Sequence, residues 1–393
     1  MALSHKPLSL TFYISGHGFG HASRDIEVLN ALLDRRPDLP VAVRTSARRW
    51  LFDLTLRHPV RFDQVETDTG IVQRDSLHLD EAESVRRAAR FYGDFEASAA
   101  READVLRQSG ARLVVADIPP LACRAAALAG IPAVALGNFT WDWIYEGYPE
   151  HLGDAPEVVP TIAQAYASAA LALRLPMHGG FASMRHVRDI PFVARRSRRK
   201  TREVRDGLGL PASTPLVLLS FGGHGLEGLD AGRLDTGDRY TIVTTGEIGL
   251  DPAKRTAGFD AWNNAADARP LARRNGSIVE LDERAMYRRG FRYEDLVAAV
   301  DVVVTKPGYG IITECLANHT AMLYTSRGRF AEYPVLLDAF PRFLRSRFIG
   351  QDDLYAGRWR AHLDAVLAQG APPECPRTDG AEVAADAILE MLD

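Results

Sequence analysis

Two glycine-rich segments, one in each half of the sequence, limit the folds available to this chain. The first, residues 14–24, reads Ile-Ser-Gly-His-Gly-Phe-Gly-His-Ala-Ser-Arg; the second, residues 304–314, reads Val-Thr-Lys-Pro-Gly-Tyr-Gly-Ile-Ile-Thr-Glu. In each segment a short apolar run stops and a helical pattern begins. Glycines at such a junction let a ligand approach the backbone closely, and the first N–H groups of the helix favour an anionic ligand. Two of these junctions predict two α/β domains that face one cleft.

The side chains in these segments indicate a reaction with two substrates. His17 and His21 are candidates for proton transfer, because the pKa of imidazole lies near neutral pH. Glu314 follows one helical turn into the second helix and is suited to binding a ribose diol. Proton transfer at one segment and ribose binding at the other are typical of an enzyme that uses a nucleotide-linked donor.

Two other nucleotide chemistries are disfavoured. Ala22 and Ser23 stand where a dinucleotide-binding fingerprint would need glycine, and the second strand ends in Arg44 and Thr45 instead of an acid. The sequence also contains no GxxxxGK[ST] phosphate loop. Hydride transfer and phosphoryl transfer from a nucleoside triphosphate therefore fit poorly.

Short apolar strands alternate with helical patterns along the chain, which predicts parallel sheets. We expect strands at 8–15, 40–45, 113–116 and 131–136, helices at 23–35, 121–129 and 161–173, and a second series of strands at 215–219, 240–245, 277–281 and 300–305. Ligands of open parallel sheets bind beyond the carboxyl ends of the strands, where the glycine segments lie. We place one domain at 1–195 and a second at 196–393, with the final helix a candidate for packing back on the first. The basic run 194–202 is either a solvated linker or a hinge that faces phosphate.

Charge and cysteine content exclude several classes of protein. Lys and Arg number 47 against 51 acidic residues, a net charge of −4, so we expect no nucleic-acid partner. The 3 cysteines are too few and scattered for a disulfide framework or a cysteine zinc site. We expect no signal peptide and no membrane span, and hence a cytoplasmic protein, with peripheral membrane contact left open.

Several motifs together resemble the GT-B glycosyltransferases of the MurG and UDP-glycosyltransferase type. They are Gly20-His21 at the start of a helix, the Ser-Phe-Gly-Gly loop at 220–223, and residues 306–314 followed by Phe-Ala-Glu-Tyr-Pro at 330–334. The chain is more similar still to the glycosyltransferase-like N-terminal half of plant L-arabinokinases. That similarity rests on the Gly-His-Gly-Phe-Gly-His start, on residues 117–126 and on Asn-Phe-Thr-Trp-Asp at 138–142. The Gly-Leu-Gly-Ser-Ser phosphate loop of a sugar kinase does not occur.

The resemblance implies an α/β protein of the GT-B fold, with two Rossmann-like parallel-sheet domains, the first binding acceptor and the second binding donor. It implies an inverting transfer of a sugar from a nucleoside diphosphate such as UDP to a small-molecule or lipid acceptor. Neither a metal nor a cofactor beyond the nucleotide sugar is implied, and the absence of an Asp-x-Asp motif agrees. Two alternatives stay open: a nucleotide-sugar epimerase, and a non-catalytic protein that senses sugar nucleotides.

For catalysis, the resemblance implies that His21 is the general base that deprotonates the acceptor hydroxyl. His17, earlier in the same loop, is the rival base, and a structural hydrogen-bonding role is the alternative for His21. Asp117, after a buried strand, is the acid expected to orient the imidazole. Its alternative role is to cap the helix near Leu121.

For the donor, the resemblance implies that Glu314 binds the ribose and that glycines on both sides of the cleft hold the diphosphate. Lys306 would add positive charge to the phosphates; its alternative is a strand-end lysine in solvent. Glu332 would face the sugar, but Ala-Glu-Tyr replaces the acid–Gln pair of the family, which leaves the sugar undetermined. The remaining expected donor contacts are Gly20, Gly222, Gly223, His224, Gly308, Tyr309, Gly310 and Thr313.

Acceptor contacts are expected from an aromatic group that follows the last strand expected in the first domain. Its members are Phe139, Trp141, Trp143 and Tyr145. Packing as a lid is the alternative for such a cluster. The residues we expect to touch acceptor are Phe19, Asn138, Trp141 and Trp143.

Overall fold

The computed structural model describes residues 10–222, 229, 234, 239–245 and 271–392. Within these residues two sheets of seven strands each form the centres of two domains. No helix in the described ranges has both the length and the apolar character needed to cross a membrane.

The first sheet is parallel throughout, with strand order β3-β2-β1-β4-β5-β6-β7. Its inner strands are short runs of mostly apolar residues buried on both faces, as parallel sheets between helices require. The strands are β1 (Leu10–Ile14), β2 (Val41–Thr45), β3 (Arg61–Gln64), β4 (Leu113–Asp117), β5 (Ala133–Gly137), β6 (Leu171–Arg174) and β7 (Val187–Asp189). The helices between them are α1 (Gly20–Arg35), α2 (Arg49–Thr55), α3 (Glu81–Gly93), α4 (Phe95–Ser109), α5 (Pro120–Ala129), α6 (Trp141–Glu146) and α7 (Val158–Tyr166), with a 3₁₀ turn at Pro149–Asp154.

The second sheet has the order β10-β11-β9-β8-β12-β13-β14, and only its β10–β11 pair is antiparallel among the described strands. The strands are β8 (Leu216–Ser220), β9 (Thr241–Thr245), β10 (Ala272–Asn275), β11 (Ile278–Leu281), β12 (Val302–Thr305), β13 (Ala321–Tyr324) and β14 (Ser346–Phe348). The helices are α8 (Thr201–Leu208), α9 (Glu283–Arg288), α10 (Tyr293–Ala299), α11 (Tyr309–Ala317), α12 (Glu332–Phe343), α13 (Gln351–Tyr355), α14 (Arg360–Leu367) and α15 (Gly380–Leu392).

One helix prediction is wrong. The helix expected at 161–173 ends at Tyr166, and Leu171–Arg174 forms strand β6. The hydroxyl of Ser168 bonds to the carbonyls of Ala165 and Cys123, and the chain then turns to pair with β5. A run of alanines and leucines suits either state, so pairing with the sheet decides the outcome.

The chain crosses between the domains twice, and the two crossings lie side by side. Helix α15, the last of the second series, packs on α1 and β4 of the first domain. Before it begins, Val193 and Asp379 form an antiparallel bridge. The N–H of Phe192 donates to the carbonyl of Arg377 at 3.2 Å, and the N–H of Gly380 donates to that of Phe192 at 2.9 Å.

Residues 65–80, between β3 and α3, also reach across the cleft. Leu77 is 1% exposed and belongs to an apolar cluster of the second domain. Its carbonyl accepts from the N–H of Gly328 at 2.9 Å, and the hydroxyl of Ser76 donates to the carbonyl of Phe221. We call this segment the crossing loop.

Candidate active site

A cavity of about 270 Å³ lies between the domains, at the carboxyl ends of both sheets. Residues that follow β1, β5, β8 and β12 line it, so both glycine segments open into the same space. The two segments approach each other closely, since a Cβ atom on Gly310 would lie 3.6 Å from the Cα of Gly20.

Most of the residues expected at the site line this cavity. They are His17, Phe19, Gly20, His21, Asn138, Gly222, Lys306, Gly308, Tyr309, Gly310, Glu314 and Glu332. Gly223 and His224 lie outside the described residues. Asp117 does not line the cavity, because it is fully buried behind His21.

His21 and Asp117 form a hydrogen-bonded pair. His21 is the second residue of α1, and its Nδ1 lies 2.8 Å from Oδ1 of Asp117, the last residue of β4. A buried carboxylate accepts hydrogen bonds strongly, so we assign the proton to Nδ1, and Nε2 is left free to accept one. Asp117 precedes α5 but does not cap it, because Pro119 occupies the cap position. The pair therefore has the geometry of a base and the acid that orients it.

Arg24, one turn after His21, binds the same carboxylate. Its Nε donates to Oδ2 of Asp117 at 2.7 Å and its Nη2 donates to Oδ1 at 2.5 Å. Burial alone would raise the pKa of Asp117, but Arg24 and then His21 outweigh it, and the pKa lies below its usual value. Asp117 is thus held as an anion shared by two partners.

The hydrogen bonds continue from this carboxylate to the other domain. Nη1 of Arg24 donates to Oδ1 of Asn138 at 3.0 Å, and Nδ2 of Asn138 donates to Oε1 of Glu332 at 2.6 Å. Asn138 follows β5, whereas Glu332 begins α12. We call the series His21, Asp117, Arg24, Asn138 and Glu332 the cross-cleft chain. All five side chains are buried.

Helix α11 begins at the second glycine segment, with Gly308 as the residue before its first turn. Lys306, just ahead of it, donates from Nζ to Oε1 of Gln73 in the crossing loop at 3.0 Å. It is therefore not a solvent-exposed strand-end lysine. Burial and, to a smaller extent, the nearby charge of Arg327 lower the pKa of Lys306 to about 7, although Asp75 and Glu332 act in the opposite direction.

Glu314 is already paired with a residue of the basic run. The Nε of Arg195 donates to its Oε1 at 2.8 Å, and Nη2 bonds to the same oxygen. Arg195 also lies 3.6 Å from Glu294. Burial raises the pKa of Glu314, and Arg195 opposes the rise. A ribose at this carboxylate would have to share it with Arg195, which the sequence alone did not indicate.

His17 lies beside the cavity but away from Asp117. Its Nε2 is 3.2 Å from Nε2 of Gln73, and its ring packs edge-on to Trp141 at 5.7 Å. A Cβ atom on Gly70 would lie 2.5 Å from its Nδ1. The described hydrogen bond between His21 and the carboxylate of Asp117 makes His21 the better-supported base.

Three residues expected to contact ligands do not line the cavity. Trp141 is fully buried and donates from Nε1 to Asp68 at 2.9 Å, so it packs beneath the cavity instead of lining it. Trp143 lies against residues 179–180, where a Cβ atom on Gly179 would be 2.2 Å from its ring. Thr313 uses its hydroxyl inside α11, donating to the carbonyl of Gly310 at 2.9 Å. The packing alternative applies to both tryptophans.

One cluster has the composition of a metal site but lies outside the cavity lining. Ligand atoms of Glu81, Glu150 and His151 lie within 4.8 Å of one another, which was not predicted. Arg329 forms ion pairs with both carboxylates, so their charge is already compensated.

Sequence reasoning missed several residues that line the cavity, among them Arg24, Gln73, Arg195 and Arg327. Arg24 was the easiest of them to predict from the sequence, because it lies three residues after His21 and so shares its helix face. Gln73 and Arg327 reach the cavity only through tertiary packing, and no motif marks them. Arg195 lies in the basic run 194–202, for which a hinge facing phosphate was one of the two interpretations.

No protein-family model matches the sequence. The L-arabinokinase of Arabidopsis thaliana is 29% identical over 395 residues, which cover 99% of this chain but 35% of that protein. The chain thus spans about a third of the length of the curated relative it matches.

Solved structures match the chain over nearly all of its length. The calicheamicin glycosyltransferase CalG4 has a TM-score of 0.61 at 15% identity, covering 98% of this chain and 99% of that one. UGT2 of Phytolacca americana, with UDP-2-fluoro-glucose and pterostilbene, has a TM-score of 0.57 at 12% identity, covering 99% and 94%. A UDP-glucosyltransferase of Polygonum tinctorium has a TM-score of 0.56 at 13% identity, also covering 99% and 94%.

The chain has the GT-B fold. The two parallel-sheet domains and the cleft between them confirm the expected fold class. Within this GT-B fold, the cavity lies where the carboxyl ends of the two sheets face each other.

Proposed function

We propose that the protein is a glycosyltransferase that moves a sugar, with inversion, from a nucleoside diphosphate to a hydroxyl of a small-molecule or lipid acceptor. The observation that carries this proposal is the His21–Asp117 pair, which faces the glycine-led start of α11 across the cavity. The similar Phytolacca protein was crystallised with a UDP sugar analogue and pterostilbene, and the Polygonum enzyme glucosylates indoxyl. Their ligands are of the donor and acceptor classes proposed here.

The proposed reaction has one displacement step. Nε2 of His21 takes the proton of the acceptor hydroxyl while the oxygen forms a bond to the anomeric carbon. The bond from that carbon to the diphosphate breaks, and its electron pair leaves with the diphosphate. Attack from the face opposite the leaving group inverts the anomeric carbon. Asp117 holds the imidazole in place and stabilises the imidazolium that forms.

The departing diphosphate would be stabilised by the chain itself. The first N–H groups and positive dipole end of α11 lie behind Gly308, and Lys306 adds a cationic group. These groups do the work that a divalent ion does in metal-dependent transfer. We therefore propose that neither a metal nor a further cofactor is required, and expect turnover to be unchanged by EDTA. Loss of activity on chelation, restored by Mg²⁺ or Mn²⁺, would contradict this.

The test of the proposed function is His21→Ala, assayed with a panel of nucleotide sugars and of phenolic and lipid-alcohol acceptors. We expect acceptor-dependent transfer to fall by about 10²–10⁴-fold while donor affinity changes little, because a general base acts on the acceptor. His362→Ala is the control, since that histidine pairs with Asp353 on α13.

Other outcomes would identify another function. Conversion of the donor without any acceptor would indicate an epimerase. Nucleotide binding with no turnover would indicate a sensor. Loss of transfer in His17→Ala but not in His21→Ala would leave the proposed enzyme class unchanged and assign the role of general base to His17.

A further inference from the structure

Two basic side chains in the cavity have no acidic partner within ion-pair distance among the described residues. Lys306 bonds to the amide of Gln73, and Nη1 of Arg327 donates to the carbonyl of Pro307 at 3.0 Å. The other two arginines that line the cavity, Arg24 and Arg195, are each bound to a carboxylate. Buried charges are normally paired, because removing them from water is costly.

One edge of the Arg327 guanidinium is free in the described part of the chain. Its Nε is buried without a hydrogen-bond partner, and Nη1 is the one nitrogen that bonds to protein. The Nε–Nη2 edge is one of those that bind an oxyanion through two parallel hydrogen bonds. The guanidinium also stacks on the ring of Phe330, at 4.2 Å from its centroid, which fixes the plane of the fork.

Arg327 and Lys306 are placed toward different parts of the proposed donor. Lys306 directly precedes the start of α11, where the diphosphate would lie. Arg327 lies three residues after β13, in the segment that leads to Glu332, and Glu332 is its strongest electrostatic partner. Glu332 accepts from Asn138, and no ion pair joins it to Arg327 among the described residues.

We propose that Arg327 binds a carboxylate on the donor sugar, so that the donor is a nucleoside-diphosphate uronic acid. This rests on the proposed function, which puts the diphosphate at α11 and the sugar at Glu332. A neutral hexose would leave the free edge of Arg327 without an anion. A hexuronate would supply two oxygens to it.

The test compares the binding of UDP, UDP-glucose and UDP-glucuronate by calorimetry, with GDP, GDP-mannose and GDP-mannuronate as the second set. We expect the wild type to bind the uronate at least about tenfold more tightly than the matching hexose, as a charge-assisted bidentate contact would provide. Arg327→Met should abolish that preference and change affinity for the nucleotide and its hexose by less than about threefold. Arg329→Met is the matched control, because Arg329 lies two residues away and pairs with Glu81 and Glu150 at the surface.

Arg327→Lys covers the case in which the methionine variant does not fold. It keeps the charge but lacks the fork, so the uronate preference should shrink. Equal weakening of nucleotide, hexose and uronate by either variant would assign Arg327 to the diphosphate and overturn the inference. Equal wild-type affinity for hexose and uronate would overturn it while leaving the proposed function intact. Failure of both ligand sets to bind would count against the proposed function itself, and the inference would fall with it.

Discussion

The amine of Lys306 lies in a cavity where its charge is supported by an amide oxygen and opposed by a second cation. Its pKa of about 7 therefore makes the charge of the donor site depend on pH near neutrality. The glycine-rich segment was enough to predict from the sequence that Lys306 contacts the donor. Its burial could not be predicted, because Gln73 and Arg327 approach it from segments distant in the sequence.

We expect affinity for a nucleotide sugar to fall as pH rises above 7. An anionic ligand favours the protonated amine, so the pKa of Lys306 rises on binding and the protein must take up a proton above pH 7. The loss should approach about tenfold per pH unit until the pKa of the complex is reached. Calorimetry between pH 6 and 9, with a sugar nucleotide whose phosphates do not titrate there, checks this. Lys306→Met should flatten the profile; a flat profile in the wild type would contradict the assignment.

The role of Glu314 as partner of Arg195 and its role in nucleotide binding can be distinguished by measuring the free energy of unfolding and the affinity for nucleotide. Glu314→Ala should weaken nucleotide binding, because it removes an acceptor for the ribose. It should also reduce the free energy of unfolding by about 3–5 kcal/mol, because Arg195 is left as a buried charge with a weaker partner in Glu294. Adding Arg195→Met should restore much of the stability without restoring binding. Restored binding in the double variant, measured by titration with nucleoside diphosphates, would show that Glu314 does not contact the ribose.

Helix α1 and the strands β4 and β5 together place four members of the cross-cleft chain. His21 and Arg24 share a face of α1, and the ends of the neighbouring strands β4 and β5 bring Asp117 and Asn138 beside them. Sequence reasoning could identify His21 from its strand–helix junction, and Asp117 from the resemblance to glycosyltransferases, which implies an acid after a buried strand. It treated Asn138 as an acceptor contact, because its bond to Glu332 exists only once the domains meet.

Asn138→Ala tests whether this chain supports the base. We expect transfer to fall by about tenfold in the wild-type background and to change little in His21→Ala, because a group that only orients the imidazole has no role once it is removed. Glu332→Gln keeps the oxygen that accepts from Asn138, so any loss it causes at the donor should persist in His21→Ala. Losses by Asn138→Ala that are equal in both backgrounds would indicate a role independent of His21.

Four of the strands that were not predicted lie at the edges of the sheets. The edges of the two sheets are β3, β7, β10 and β14, and these short strands are largely exposed and rich in charged residues. Edge strands commonly carry such residues, which prevent pairing with other chains. They lack the apolar run by which the inner strands were predicted. The inner strands β6 and β13 were also missed.

At the scale of the whole molecule, the domains are joined by the crossing loop as well as by the chain itself. Leu77 in this loop is packed among the apolar side chains of the second domain, although it belongs in sequence to the first. Leu77→Ala should lower the free energy of unfolding by about 2–5 kcal/mol. The half-buried Leu79 of the same segment is the comparison, and its substitution by alanine should cost less. Urea unfolding measures both, and equal effects would mean that Leu77 does not anchor the loop.

The bridge between Val193 and Asp379 has a mechanical consequence. A single linker would let the domains swing and twist in any direction. Here the outgoing and returning segments are hydrogen-bonded to each other, so they act as a two-stranded ribbon. A ribbon of this kind bends readily about one axis and resists rotation about its own length. We therefore expect the cleft to open and close by a hinge motion about one axis, with the hinge at this ribbon. Such a motion would return His21 and Glu332 to the same alignment at each closure.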